Sequence, residues 1–241
     1  MHHKKHRDEQ EVFIVEGVKS CYEVFQTDFE VVYCFVTDRY AERCRESTIN
    51  GITISEKEME RISCFNTPSE ILCVVKKKQN SLTDLVEDEP LLVLDALRDP
   101  GNLGTIIRTA DWFGFRQILC SEDCVELTNP KVIQATMGSF TRVKVAYANL
   151  VPYLKNQTHR TIYGLYMNGD PIQKQSFSRN PIAIIGSESH GISEVISPFI
   201  NKRIEIPIFP HNVSAPESLN AAMAAGIFMY EFCNKELTIK R

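Results

Sequence analysis

Three short stretches carry residue types at spacings suited to holding a ligand. In the first, Asp99-Pro-Gly-Asn-Leu-Gly-Thr-Ile-Ile-Arg108, Gly101 and Gly104 permit close backbone approach, Asn102 offers an amide, and Arg108 follows along a helical run. The second, Gly186-Ser-Glu-Ser-His-Gly191, places Glu188 in a glycine-bounded turn. The third leads from Ile206 and Pro207 to Ser218-Leu-Asn220, at the entrance to an alanine-rich run. An arginine fork suits phosphate and developing negative charge. Each residue also has a plain structural alternative. Arg108 is then a surface helix arginine, Asn102 a turn former, Glu188 a solvated loop acid and Ser218 a helix N-cap. Asn220 is harder to dismiss, being a poor helix former one residue inside an apolar run. His190 and His211 are general-base types, yet both read as incidental loop histidines. Metal chemistry lacks a ligand set. The eight cysteines (21, 34, 44, 64, 73, 120, 124 and 233) include no CxxC pair, and no histidine neighbours Cys120 and Cys124.

The elements that must position these residues alternate between strand and helix. In the leading part, residues 16–25 have apolar residues at helical spacing, 31–36 and 71–75 are β-prone runs, and Ser55 with Glu58 forms a capping box. The pattern fails between Lys76 and Pro90, the best boundary in the chain. The expected domains are thus 1–80 and 91–241, joined by a linker at 81–90. Beyond it, strands are expected at 91–94, 118–119, 143–145, 161–166, 182–185 and 203–206. Helices are expected at 105–113, after Asn129-Pro130, and at 217–232. Trp112 and Phe113 fall at helical spacing after Arg108 and are expected in the core. This alternation implies a mainly parallel α/β sheet, in which ligands bind at the carboxyl ends of strands.

Bulk properties exclude some classes. Of 241 residues, 43% are hydrophobic and 24% charged, which is ordinary for a globular protein and argues against long disorder. The longest apolar run is too short to cross a bilayer, and the opening Met-His-His-Lys-Lys is no secretory leader, so a cytoplasmic location with reduced thiols is expected. The net charge of −4 gives no global attraction to nucleic acid. Residues 1–90 hold 12 Lys and Arg against 18 Asp and Glu, and the rest 15 against 13. Any RNA contact therefore uses local clusters such as Lys4, Lys5 and Arg7, or Arg39, Arg43 and Arg45, or residues 76–78. A nicotinamide oxidoreductase would need GxGxxG after the first strand of its domain, and 100–104 lacks that spacing.

Taken together and in this order, the three stretches resemble the motifs of the SpoU family of SPOUT RNA methyltransferases. Residues 99–115 resemble its first motif, 186–193 its Gly-x-Glu-x-x-Gly turn, and 206–231 its third, with Met137-Gly-Ser-Phe140 matching the segment between. Lys5-His-Arg with Phe13-Ile-Val-Glu-Gly17 resembles the opening of the small α/β RNA-binding domain that precedes this catalytic domain in many rRNA methyltransferases. The resemblance implies a knotted (trefoil) parallel-sheet domain, a homodimer whose sites borrow residues from both subunits, and methyl transfer from S-adenosylmethionine to a ribose 2′-hydroxyl. It further implies rRNA (23S) as substrate ahead of tRNA, with no membrane or metal involved. By analogy, Arg108 is the central catalytic residue, with Asn102, Glu188, Ser218 and Asn220 around it, while Gly186, Ile206 and Leu219 hold the cofactor. Two roles are open to Arg108: an electrostatic clamp on phosphate and developing alkoxide, or a base, the first being chemically simpler for a guanidinium. The sequence departs from the family where Ser189 replaces a common glycine and where the Pro207–Ser218 loop is longer. The alternative reading is a non-catalytic RNA-binding or ribosome-assembly factor of the same fold.

Overall fold

The structure, a computed structural model, describes residues 3–43, 51–209 and 218–239. His211, Arg45 and most of the long loop before Ser218 lie outside these residues. The chain divides into two compact units, Met1–Gln79 with Glu126–Thr141, and Asn80–Val125 with Arg142–Arg241.

The first unit runs α1 (Lys4–Glu9), β1 (Val12–Glu16), α2 (Val18–Phe25), β2 (Val31–Thr37), α3 (Asp38–Arg43), β3 (Ile52–Ile54), α4 (Glu56–Ile62) and β4 (Ile71–Lys76). Its sheet has the order β1-β4-β2-β3, antiparallel except for the β2/β3 pair. Alternation along β1 explains why all five of its residues are buried. Phe13 and Val15 enter one cluster with Cys21 and Val24, while Ile14 enters another with Met59 and Leu72. Glu16 ends this strand instead of opening a helix. Gly17, at φ 109°, makes the break, and α2 begins only at Val18. The buried Glu16 carboxylate accepts from Ser63 Oγ at 2.7 Å and from the Ser69 and Cys64 N–H groups at 3.0 and 3.1 Å, so its polar atoms are satisfied. The Ser55–Glu58 capping box is present.

Residues 126–141 return to this first unit and add Ile133 and Phe140 to the larger cluster, a return that is invisible in the sequence. Several basic residues of this unit pair with its acids. Lys4 and Arg7 pair with Glu126, Lys77 with Asp8, Lys76 with Glu30 and Lys78 with Asp28.

The second unit contains β5 (Leu91–Leu94), α5 (Pro100–Phe113) and β6 (Gln117–Cys120), after which the chain leaves it for α6 (Pro130–Thr136) in the first unit. It then continues through β7 (Lys144–Tyr147), α7 (Leu150–Lys155), β8 (Ile162–Pro171), β9 (Ile182–Ile185), β10 (Lys202–Glu205) and α8 (Ala221–Ile239). The six strands form a wholly parallel sheet in the order β10-β8-β9-β5-β6-β7. Every residue of β5, β6 and β9 is buried, as expected for strands covered on both faces.

Both site-bearing helices start elsewhere than the periodicity predicts. α5 opens at Pro100, not Thr105, because Asp99 is its N-cap: the Asp99 carboxylate accepts from the Asn102 N–H at 2.7 Å and Pro100 occupies the first position. The stretch resembling a loop is therefore the first turn of a helix. α8 opens at Ala221, where Asn220 Oδ1 accepts from the Ala222 and Met223 N–H groups at 2.9 and 3.2 Å. The cap is Asn220, not Ser218. Trp112 is not in the core but 85% exposed. The buried stripe of α5 is Leu103, Gly104, Ile106, Ile107 and Ala110, and Trp112 is rotated off it.

Candidate functional site

The three motif stretches follow β5, β9 and β10, and all belong to the second unit. Strand order puts β9 beside β5, so the loops leaving their carboxyl ends are neighbours. Asp95, just past β5, accepts from the Ser193 N–H at 2.7 Å and ties the two loops together. Ala96 follows at φ 55°, its N–H donating to Ser121 Oγ at 2.9 Å. Nearby, Cys124 Sγ accepts from the Leu97 N–H at 3.2 Å. A hydrogen bond from the Cys120 thiol draws Cys124 down to about 7 and pushes buried Cys120 well up.

Between the loops, three side chains form a relay. Asn220 Nδ2 donates to Asn102 Oδ1 at 2.9 Å, and Asn102 Nδ2 donates to Glu188 Oε1. The Asn220 amide is also fixed by capping α8, and the backbone of Asn102 is anchored by its N–H donating to the Asp99 carboxylate. Residues 118 and 86 positions apart are thus held in one geometry.

The turn carrying Glu188 is closed by paired backbone bonds. Gly191 N–H donates to Ser187 O at 2.8 Å and Ser187 N–H to Gly191 O at 3.2 Å. Gly186 must lack a side chain, since a Cβ there would lie 2.0 Å from the Gly191 carbonyl carbon. Ser189 Oγ and His190 Nδ1 sit 2.7 Å apart at the tip.

A cleft of about 510 Å³ opens against this turn. Gly186, Ile206 and Leu219 all line it, as do Glu188 and Ser218. Its remaining wall, Leu165 to Asn168, is not evident in the sequence reading, which ended a strand at 166, whereas β8 continues to Pro171. The available signal was Gly169, where a Cβ would meet the Arg203 backbone at 2.8 Å and which therefore lets β10 lie close along this extension. A second cavity of about 570 Å³ is lined by Arg98, Asp99, Glu188 and His190.

Arg108 is not part of the relay. It is exposed on α5, six residues beyond Asn102, which is about 9 Å along a helix and about 240° around it. The structure thus brings Asn102, Glu188 and Asn220 together, sets Ser218 on the wall of the cleft, and leaves Arg108 on a different face of its helix. Among the described residues, no group of three or more His, Cys, Asp or Glu is placed to hold a metal ion, and no helix is long and apolar enough to cross a membrane.

Comparison with known proteins agrees with this geometry. Residues 89–230 match the SpoU rRNA methylase family, and residues 1–73 match an MRM3-like substrate binding domain. The chain is 28% identical to the 23S rRNA (guanosine(2553)-2'-O)-methyltransferase RlmP of Bacillus subtilis, over 95% of this chain and 92% of the relative. Among solved structures, it resembles a TrmH-family RNA methyltransferase from Porphyromonas gingivalis with a TM-score of 0.82 and 29% identity, over 96% of this chain and 93% of the other. It also resembles an AdoMet-bound rRNA methyltransferase from Sinorhizobium meliloti with a TM-score of 0.83 and 26% identity, over 98% and 92%.

Proposed function

The chain belongs to the SpoU rRNA methylase family, and on that premise we propose that it transfers a methyl group from S-adenosylmethionine to a ribose 2′-hydroxyl of RNA. The observation that carries this reading is the convergence of the Gly186–Gly191 turn, residues 206–208 and residues 218–219 on one cleft, with the Asn220–Asn102–Glu188 relay beside it. The residues present fit the cofactor. The cleft has the volume of a small-molecule site, its apolar side chains Leu165, Ile206 and Leu219 suit an adenine, and Gly186 leaves backbone bare for a close approach. When bound, S-adenosylmethionine supplies an electrophilic methyl on a sulfonium sulfur.

Gly186, Ile206 and Leu219 hold the cofactor, and the extension of β8 closes the far wall. The relay fixes Glu188 and keeps the entrance to α8, with Ser218, at a set distance from the turn. Arg108 acts as the electrostatic clamp: its planar fork holds a phosphate of the substrate and stabilises the ribose oxygen as its proton passes to solvent water. The offset of Arg108 by about 120° around α5 from Asn102 supports a reading in which it serves the cleft of a second copy. A homodimer is further supported by α8, which exposes Met223 and Tyr230 seven residues apart on one face. The deep trefoil knot is part of the same proposal and is supported by the fold likeness. The amino-terminal domain, residues 1–80, binds the substrate, supported by the match over 1–73. The named relative favours rRNA, with 23S first, and relatives named tRNA/rRNA methyltransferases keep tRNA second; a cytoplasmic location is part of the same proposal.

The test is methylation of purified rRNA and tRNA with labelled cofactor, followed by mapping of modified riboses. Label should enter a 2′-oxygen of rRNA, and Arg108→Ala should lose roughly 100-fold or more of the rate, the scale of removing one transition-state donor. Binding of RNA with no 2′-O-methylation under any condition would instead identify a non-catalytic RNA-binding factor.

A further inference from the structure

We propose that the second cavity, which shares the Glu188 turn with the cofactor cleft, seats the target nucleotide of the RNA, and that Arg98 holds one of its flanking phosphates. This rests on the RNA-modifying function above. The cavity measures about 570 Å³ and the cleft about 510 Å³, both within the range of small-molecule sites. Ser187, Glu188, His190 and Gly191 line both spaces, so a group bound in one lies within a turn's width of a group bound in the other. The two linings differ in chemistry. The cleft carries Leu165, Ile206, Ile208 and Leu219, whereas the apolar side chain of the cavity is Ala96 alone among the described residues. Serine hydroxyls, His190 and charged groups make up the rest, a lining suited to a sugar and its phosphate.

Arg98 is the cation in this lining that can meet an anion. Its side chain is 79% exposed, and it approaches Asp123 only to 3.9 Å, beyond hydrogen-bond reach. The carboxylates of the cavity are already engaged: Asp95 accepts from the Ser193 N–H, Asp99 from the Asn102 N–H, and Glu188 from the Asn102 amide. The backbone is held on both sides of Arg98, because the Leu97 N–H donates to Cys124 Sγ and Asp99 caps α5. A planar fork is thus carried on a fixed base. Every internal ribose of an RNA strand lies between two phosphates. With Arg108 of a second copy on one of them, Arg98 of the chain that holds the cofactor takes the other. An acidic side chain of a second copy is the competing occupant, but it would bring a charge and no sugar to meet the serine hydroxyls.

The RNA that accepts label in the assay above serves as substrate, and initial rates of the full-length protein are measured over a range of RNA and salt concentrations. Arg98→Ala should raise KM for the RNA roughly tenfold, the scale of one charge-assisted contact. Its kcat should stay close to the parental value, because a flanking phosphate is held alike before and during methyl transfer. The salt dependence should fall by about one phosphate contact, and the calorimetric affinity for S-adenosylmethionine should not move. Arg98→Lys should recover part of the loss, since it keeps the charge without the fork. Asp123→Asn separates contact with RNA from a structural role: it removes the acid beside Arg98 and should leave KM at or below the parental value. If Arg98→Ala methylates with unchanged KM and salt dependence, the inference is refuted while the enzymatic reading stands. A KM raised equally by Asp123→Asn also refutes it, making Arg98 a support for its own loop. So does an Arg98→Ala protein that elutes as a monomer where the parent elutes as a dimer, which assigns the cavity to a second copy. A parent that methylates no RNA removes the enzymatic reading and this inference with it.

Discussion

Asn220 shows how one side chain can do two separable jobs. Its Oδ1 caps α8, and its Nδ2 donates to Asn102. Aspartate preserves the first function and removes the second, because a carboxylate accepts a helix N-terminal bond but has no amide hydrogens. Asn220→Asp should therefore keep thermal stability within about 0.5 kcal/mol of the parent, whereas Asn220→Ala should lose about 1 kcal/mol. Both should weaken methyl transfer to a similar degree, since both break the relay to Asn102 and Glu188. Parallel thermal melts and rate measurements check this. If the aspartate variant is as active as the parent, the relay has no part in the reaction. The cap that the sequence offered as the structural alternative for Ser218 thus falls to Asn220. Ser218 and Asn220 are both good capping types, and only the position of the first helical N–H groups distinguishes them.

Among elements, buried parallel strands were the most legible. The runs at 91–94 and 182–185 are short, apolar and bounded by breakers, and β5 and β9 have those bounds. The starts of α5 and α8 were not, because the Asp99-Pro100-Gly101 turn signal and a helix N-cap use the same residues. Periodicity cannot say which side of a helix will be covered near its end, so Trp112 was assigned to a core it does not enter. The Gly186–Gly191 turn was legible as a motif, but its tightness was not. At Gly186 a methyl group would overlap the backbone of Gly191, whereas Gly191 has open space around its own Cβ position and only an unfavourable φ of 66°. Gly191→Ala should thus cost about 1–2 kcal/mol, while Gly186→Ala should prevent the turn from closing and abolish cofactor binding. Denaturant unfolding with calorimetric titration of S-adenosylmethionine ranks the two, and equal behaviour would mean that the turn relaxes freely.

At the scale of the whole molecule, the relay is complete within one chain but the proposed clamp is not. Asn102 and Arg108 share a helix and were placed in one site by analogy with the family's motif; helix geometry sets them about 120° apart around the axis. The relevant spatial partners of Asn102, by contrast, are 86 and 118 residues away, which no local pattern could reveal. If Arg108 serves the cleft of a second copy, two inactive variants should rescue each other. Arg108→Ala and Asn102→Ala are each unfolded together, mixed in equal amounts and refolded, so that half of the dimers are hybrids. In a hybrid, the cleft with intact Asn102 receives intact Arg108 from its partner, while the other cleft lacks both. One site in four is then competent, and the mixture should recover roughly a quarter of parental activity, with each variant alone near background. An arginine acting within its own chain gives a different result, since neither cleft of the hybrid would then contain both residues. No recovery in a refolded mixture, with hybrid formation verified by mass, would place the clamp in the same chain as the relay.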